Sequence, residues 1–408
     1  MSSKTLDTEV IDFSPGGPYL LTTSQRRILL GALALGTFAK CFLALKAPGT
    51  LDSNAYVEFL NHIREKGPLA LYHFRGSFNN AFIFPPAIIH LINALGFIAD
   101  STGLPLKFWL RLVPSLADVG SFFAIWHLLR GHKDLFRILF LLALCPTSIL
   151  INGYEGNVDG FMIFLVVLAV WAIEGKKSIL GGGAAWGMAL NVKAVPLMFA
   201  PALFFRLSGT KARVQFFVAT LVVIVVCSMP FLFQSPGIIK SVFGYSSIYG
   251  VWGITKIVVM VVGAPEFLYW PYDPTGRHAI FATLLKWFVV MVIVVASYLM
   301  NRGEPKLNLL KQFGFIIAIF LFLTPGFGVQ YLVWLVPFVT AAGLRATVIY
   351  YFSTSLYLFL ASEVLSCHEF GCLALMFLCW LSIAVVILEF WRSILTHAQE
   401  VDNSGPGD

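Results

Sequence analysis

The chain reads as an all-α polytopic membrane protein, and three observations predict this. Hydrophobic residues make up 58% of its 408 positions and charged residues only 12%, whereas a soluble domain carries about twice that charge. Apolar runs long enough for helical crossings recur along the chain, separated by short basic clusters. One polar and aromatic segment, 47–107, interrupts that alternation. The net charge of +7 is explained by basic flanks on the inner side of a membrane. The expected partners are therefore membrane lipids and not nucleic acid.

Residues 1–26 are polar, with Ser14-Pro-Gly-Gly-Pro18 and then Arg26-Arg27. They read as a cytoplasmic tail before a retained first span, not as a signal peptide. The later basic clusters are Arg130–Lys133 with Arg137, Lys176-Lys177, Arg206–Arg213, Arg302–Lys306, Arg345 and Arg392. Placing all of them inside gives spans at 27–46, 108–129, 135–151, 160–174, 178–192, 195–206, 214–234, 279–300, 308–324, 331–343, 347–364 and 371–391. That is a bundle of about 12 transmembrane helices in a plasma (inner) membrane, with both termini cytoplasmic. Residues 27–345 form its main module, 346–392 a C-terminal helical hairpin, and 393–408 a disordered cytoplasmic tail. Counting 82–99 as a further span would turn the Arg130–Arg137 cluster outward, so that stretch is read as lying on the surface.

The first outer loop, 47–107, should hold two interfacial helices. Tyr56, Phe59, Leu60 and Ile63 recur at helical spacing and Gly67-Pro68 ends that run. A second helix opens at Pro85-Pro86 and carries Ile88, Leu91, Ile92 and Leu95 on one side. The second outer loop, 235–278, is rich in Tyr and Trp (Tyr245, Tyr249, Trp252, Tyr269, Trp270, Tyr272), as a headgroup layer favours. Runs 178–192 and 195–206 are short and read as a bent hairpin, with Gly181-Gly182-Gly183 allowing a close helix approach. Cys367 and Cys372 share an outer loop where a disulfide would need an oxidising compartment.

Polar residues at the outer boundary are the candidates for chemistry. Asp52 can accept a proton from an acceptor hydroxyl; the competing reading is that Asp52 or Ser53 caps the helix that follows. Asn152-Gly-Tyr-Glu-Gly-Asn-Val-Asp159 packs two acids and two amides into a tight outer loop. Glu155, Asn157 and Asp159 can bind a sugar, or Asp52, Glu155 and Asp159 can share a divalent cation, since hard cations take oxygen ligands. Against this, Asp159 can simply cap the next span. Lys193 is a cation in an apolar context, suited to a lipid-linked phosphate unless it snorkels to the surface. Arg111 offers a second, bidentate phosphate ligand. Asp118, deeper on the same helix, would pair with a cation. Arg75 and Asn80 in the first loop, and Gln330 and Tyr331 in the turn Thr324–Tyr331, complete the set.

Seven segments carry a resemblance: GTLDSNAYVEFLNHI around Asp52, GPLALYHF, FNNAFIFPPAIIHLI, RLVPSLADVG, NGYEGNVDGFMIF, LNVKAVPLMFAPALFF and FLTPGFGVQYLVWLVP. Together, over about 27–345, they resemble the GT-C superfamily of polyprenyl-phosphate-sugar-dependent integral-membrane glycosyltransferases. The likeness is to bacterial mannosyltransferase-like members and, more distantly, to the mannosyltransferase of GPI-anchor assembly. It implies a GT-C-like bundle with an active site facing the periplasm or exterior. It also implies transfer of a hexose, mannose first, with inversion, from a polyprenyl-phosphate donor to a lipid-linked or surface glycan acceptor. Asp52 would then be the general base, the 152–159 loop would lie beside the sugar, and Lys193 and Arg111 near the donor phosphate. In this chain Asn54 stands two residues after Asp52 where the family carries a second Asp, and Glu155 replaces a frequent His. The rival readings are a polyprenyl-linked-glycan flippase or transporter, and a membrane-bound acyltransferase or ligase built on His73 or His90.

Overall fold

The computed structural model describes residues 21–76, 81–232, 237–243, 247–263, 274–302, 306–361 and 369–403. Asn79, Asn80, Tyr245, Tyr269, Trp270, Tyr272 and Cys367 lie outside them. Within the described residues each predicted apolar run is helical. The chain opens with α1 (Thr23–Lys46), whose Thr22 and Gln25 form a reciprocal capping box. Two loop helices, α2 (Leu51–Lys66) and α3 (Pro86–Thr102), precede α4 (Leu106–Leu128). Next come α5 (Leu135–Ala143), the turn α6 (Pro146–Ser148) and a π-helical segment Ile149–Glu155. They are followed by α7 (Asp159–Val170), α8 (Ile179–Val192), a 3-10 turn Val195–Phe199, α9 (Ala200–Arg206) and α10 (Thr210–Leu232). The remainder comprises α11 (Gly237–Phe243), α12 (Gly253–Val262), α13 (Gly276–Leu299), α14 (Leu309–Leu323), α15 (Leu332–Val339), α16 (Leu344–Ala361) and α17 (Glu369–Asn403).

Among the described residues, six helical segments are long and apolar enough to cross a membrane: Thr23–Lys46, Leu106–Leu128, Leu135–Glu155, Thr210–Phe231, Gly276–Leu299 and Leu373–Thr396. Shorter apolar helices, such as Ile179–Val192 and Leu309–Leu323, fill the space between them. The protein is therefore an all-α polytopic membrane protein. Its lipid-facing flanks are plain on α10 and α13, where Leu221, Val226, Ile280, Leu284 and Trp287 are exposed.

The two first-loop helices form as their periodicity requires. Tyr56, Phe59, Leu60 and Ile63 are buried, while Asn61, Arg64 and Glu65 face out. Gly67, at φ 86°, ends α2 in a conformation that side chains disfavour. The aromatic side chains of Tyr56, Phe59, Tyr72, Phe82 and Phe84 pack edge-to-face or stacked beneath the loop.

Four expectations change. The run 178–206 is not a self-packed hairpin: α8 packs on α7 and α10, whereas α9 packs on α13 and α14. Gly183 does serve close approach, since a Cβ there would collide with the Phe216 carbonyl oxygen on α10. The loop 152–159 is shorter than expected, because the π-helical turn carries the helix to Glu155 before Gly156 (φ 77°) breaks it. In the second loop Trp252 and Tyr249 are buried, not spread in a headgroup layer. Trp252 stacks on Phe327 at 4.0 Å, and Ile248–Tyr249 pairs antiparallel with Gly326–Phe327. Finally, α17 runs past Trp391 to Asn403, where a disordered tail was expected; no Gly or Pro interrupts it before Gly405-Pro406.

Candidate active site at the acidic end of the bundle

The C-terminal ends of α1 and α8, the N-terminal ends of α2, α4 and α7, and the turn before α15 meet at one end of the bundle. Asp52 lies in the first turn of α2 but caps nothing: the N-cap is Thr50, without a side-chain cap bond. Its carboxylate instead accepts a hydrogen bond from Asn157 Nδ2 at 3.0 Å, across 105 residues of sequence. Asp159 likewise opens α7 without capping it. Its fully buried carboxylate accepts two bonds from Lys193 Nζ, at 2.8 and 2.9 Å, and one from Trp334 Nε1 at 2.5 Å. Both capping readings fail for the same reason: tertiary donors outcompete the local backbone amides.

Lys193 does not snorkel. It is the extended residue that ends α8, and its side chain folds inward onto Asp159. The ammonium lies 5.2 Å from the Tyr331 ring centre and 5.5 Å from that of Trp334, and the two rings stack at 4.1 Å. The Lys193 charge is therefore already matched by Asp159. Beside it, Glu155 is only 6% exposed and makes no hydrogen bond or ion pair among the described residues. Asn157 is buried as well, and its Oδ1 has no partner. The hydroxyl of Tyr56, buried beside the Val158 backbone, faces the same carboxylates.

Electrostatics binds these groups into one site. Burial pushes the Asp52 carboxyl above the ordinary carboxylate range. The Lys193 ammonium and the Asn157 hydrogen bond pull it down, and the Asp159 charge pushes it further up. Tyr56 is driven well above the usual phenol value, first by burial and then by Asp52, Asp159 and Glu155. Among the described residues no group of three or more His, Cys, Asp or Glu is arranged to hold a metal ion. Asp52, Glu155 and Asp159 thus make no ready cation site, and Asp159 is committed to Lys193 and Trp334.

Arg111 has a different setting from the one its position suggests. It is 1% exposed, and its Nη1 donates to the carbonyls of Ala44 and Ala47, at 3.2 and 2.8 Å, which closes the C-terminal end of α1. Its Nη2 occupies the place a side chain on Gly49 would need, and its Cγ the place of one on Gly156. The guanidinium braces two turns through Nη1, while its Nε and Nη2 have no hydrogen-bond partner among the described residues. Arg75 is exposed; among the described residues its side chain bonds to the neighbouring Phe74 carbonyl and is not brought to the site. Asn54 accepts a bond from Lys107 Nζ at 2.5 Å on the outer surface of the loop. Gln330 sits partly buried beside Gly328 in the turn that delivers Tyr331.

Sequence reasoning missed two participants. Trp334 gives Asp159 its third donor; a lone indole in an apolar run carries no prior signal. Lys40 is the cation that Asp118 required: its Nζ donates to Asp118 Oδ2 at 2.5 Å, 78 residues away. That oxygen also accepts from Ser148 Oγ and from Asn152 Nδ2 at 2.7 Å. The signal existed, since a lone lysine within a membrane span demands a partner.

No protein-family model matches the chain. A curated relative is the alpha-(1->3)-arabinofuranosyltransferase of Corynebacterium glutamicum, 24% identical over 208 residues, covering 47% of this chain and 48% of that protein. The chain thus aligns with about half the length of the relative it matches.

Proposed function

We propose that this chain is an integral-membrane glycosyltransferase of the GT-C kind, with Asp52 as its general base. The observation that carries the reading is Asp52 itself, a half-buried carboxylate aimed by Asn157 and facing the Asp159–Lys193 pair at one end of a membrane bundle. Similarity to an arabinofuranosyltransferase supports glycosyl transfer as the reaction class. The donor is a polyprenyl-phosphate sugar, with mannose the first hexose to try and arabinofuranose the second, after the relative's name. The acceptor is a hydroxyl of a lipid-linked or surface glycan. Taking the basic clusters as cytoplasmic supports the periplasmic or exterior face for this end.

In the reaction, the acceptor hydroxyl forms a bond to the anomeric carbon while the bond from that carbon to the phosphate oxygen breaks. The hydroxyl proton goes to Asp52, the electron pair leaves with the polyprenyl phosphate, and attack from the opposite face inverts the centre. The raised proton affinity of Asp52 suits it to accept that proton in the transition state. Lys193, its ammonium poised on Asp159 beside the Tyr331 ring, can turn part of its charge toward the leaving phosphate. Glu155 and Asn157 supply free acceptor oxygens for sugar hydroxyls.

The acyltransferase alternative lacks its central pair: His90 is bonded to the Cys227 carbonyl, and His73 has no acid partner among the described residues. The deciding test is Asp52→Asn, assayed in membranes with radiolabelled polyprenyl-phosphate sugars. Transfer should fall by about 10²–10⁴-fold, the usual worth of general-base help, with expression unchanged. Undiminished turnover removes Asp52 from the chemistry.

A further inference from the structure

Helix α12 (Gly253–Val262) packs on α14 and α17 at the Asp52 end of the bundle, and its start lies deep. A Cβ on Gly253 would stand 2.5 Å from Trp380 Nε1. Trp380 belongs to the crossing Leu373–Thr396, about 10 Å along it from Leu373. The preceding Trp252 is fully buried and stacks on Phe327 at 4.0 Å. Two carbonyls at the end of α14 record the same depth. The last carbonyls of a helix have no intrahelical partner, and at a wet surface water takes them. Here Trp252 Nε1 donates to the Leu321 carbonyl at 2.8 Å, and Trp380 Nε1 to that of Phe322 at 2.9 Å. Protein donors in that place are what a dry layer demands.

The other side of α12 is apolar and open. Ile257, Met260, Val261 and Val262 are exposed, Val261 by 79%. Lys256, the charged residue of this helix, falls on the far side from Val261 by helical spacing. The open face continues onto a crossing. Val259 joins Tyr249, Phe281 and Ala282 in one apolar cluster, and Ile280 and Leu284 beside them belong to the lipid-facing flank of α13. Length then fixes what α12 can do. Its 10 residues rise about 15 Å, half of a hydrocarbon layer of about 30 Å. It is too short to cross and long enough to enter one leaflet.

We propose that α12 is a re-entrant helix, with the face formed by Ile257, Met260, Val261 and Val262 seated among the acyl chains of the leaflet at the Asp52 end. Its partner is the hydrocarbon of the bilayer and not the headgroup layer. The seat lies in series with the candidate site: Ile248–Tyr249, shortly before α12, pairs with Gly326–Phe327, shortly before Tyr331. The inference stands whatever reaction Asp52 performs.

The test uses the full chain in phosphatidylcholine vesicles, with the fluorescent amino acid Anap introduced at one position by codon suppression. Val261 is the test position, the exposed Leu284 of α13 the acyl control and the exposed Glu65 of α2 the aqueous control. Lipid brominated along its acyl chains should quench the label at 261 as strongly as the label at 284. Aqueous iodide should leave both bright while it quenches the label at 65. A label at Met260, also exposed, gives a second reading of the same face, and a thermal melt in detergent identifies the folded variants. Quenching by iodide at 261 and 260 places the helix in water or in the headgroup layer and overturns the proposal. So does a label that neither quencher reaches, because another protein surface then covers the face.

Discussion

Lys40–Asp118 and Lys193–Asp159 are the same pair in chemical terms, and the contrast between them separates scaffold from site. Asp118 gathers Lys40, Ser148 and Asn152 onto one oxygen, tying α1 and α4 to the π-helical turn. Gly153 packs so closely there that a Cβ would stand 2.8 Å from Lys40 Cα. Beside Lys193–Asp159 more is unmet: Asn157 Oδ1 and the Tyr56 hydroxyl have no partner among the described residues, against Asn152 Oδ1 alone at the first pair, and Glu155 makes no hydrogen bond there. Buried polar groups are normally satisfied, so unmet groups gathered around one satisfied pair mark where a ligand belongs. The first pair holds helices together; the second sits among groups waiting for a partner.

That contrast can be broken by deleting charge from each pair. Asp118→Leu alone strands the Lys40 ammonium among packed helices and should destabilise the protein by about 3–5 kcal/mol, read as a lowered Tm in detergent. Lys40→Met with Asp118→Leu should restore most of that Tm, because a matched apolar pair has no uncompensated charge. The equivalent double change, Lys193→Met with Asp159→Leu, should also fold but abolish glycosyl transfer. Equal activity losses in the two double variants would erase the distinction.

A smaller effect sharpens it. As general base, Asp52 acts ionised, and burial raises its pKa. The rate should therefore climb with pH through a limb above the ordinary carboxylate range and level off beyond it. Because Lys193 holds that value down, Lys193→Met should move the limb to higher pH in whatever residual activity remains; a limb that stays put removes Lys193 from the electrostatics. The linkage sign is the reverse of the usual carboxylate case. The folded state binds the Asp52 proton more tightly, so this contribution to stability is present below the unfolded pKa and is lost as pH rises through the folded one.

The smallest effect comes from the exposed surface of the first loop. Arg64 and Asp100 pair at 2.5 Å with side chains 45% and 63% exposed. Arg64→Ala should cost no more than about 1 kcal/mol and leave transfer intact. A large activity loss there would mean that α2 and α3 must be locked for catalysis.

Much of this was legible in the sequence because it is local. Apolar periodicity, Pro85-Pro86 and Gly67 place α2 and α3, and each apolar run became a helix. The gathering of Asp52, Glu155, Asn157, Asp159, Lys193 and Tyr331 was legible too, because alternating helices put their ends at one face. What escaped was directional. Arg111 holds the end of α1 with Nη1 and leaves Nε and Nη2 without a partner among the described residues, a split that its spacing does not foretell. The pairing of Ile248–Tyr249 with Gly326–Phe327 is two residues long and has no period to detect. The pairing of Lys193 with Asp159 escaped as well, since nothing in the spacing says that Asp159 turns away from its own helix.

The brace under Gly49 and Gly156 has a mechanical consequence. Arg111 touches both turns, and the Asp52–Asn157 bond ties the same two segments a few residues further on. The two sides of the crevice are thus latched twice, by a cation beneath and an amide above. They cannot part independently, and whatever ligand this end of the bundle takes has to enter along another seam.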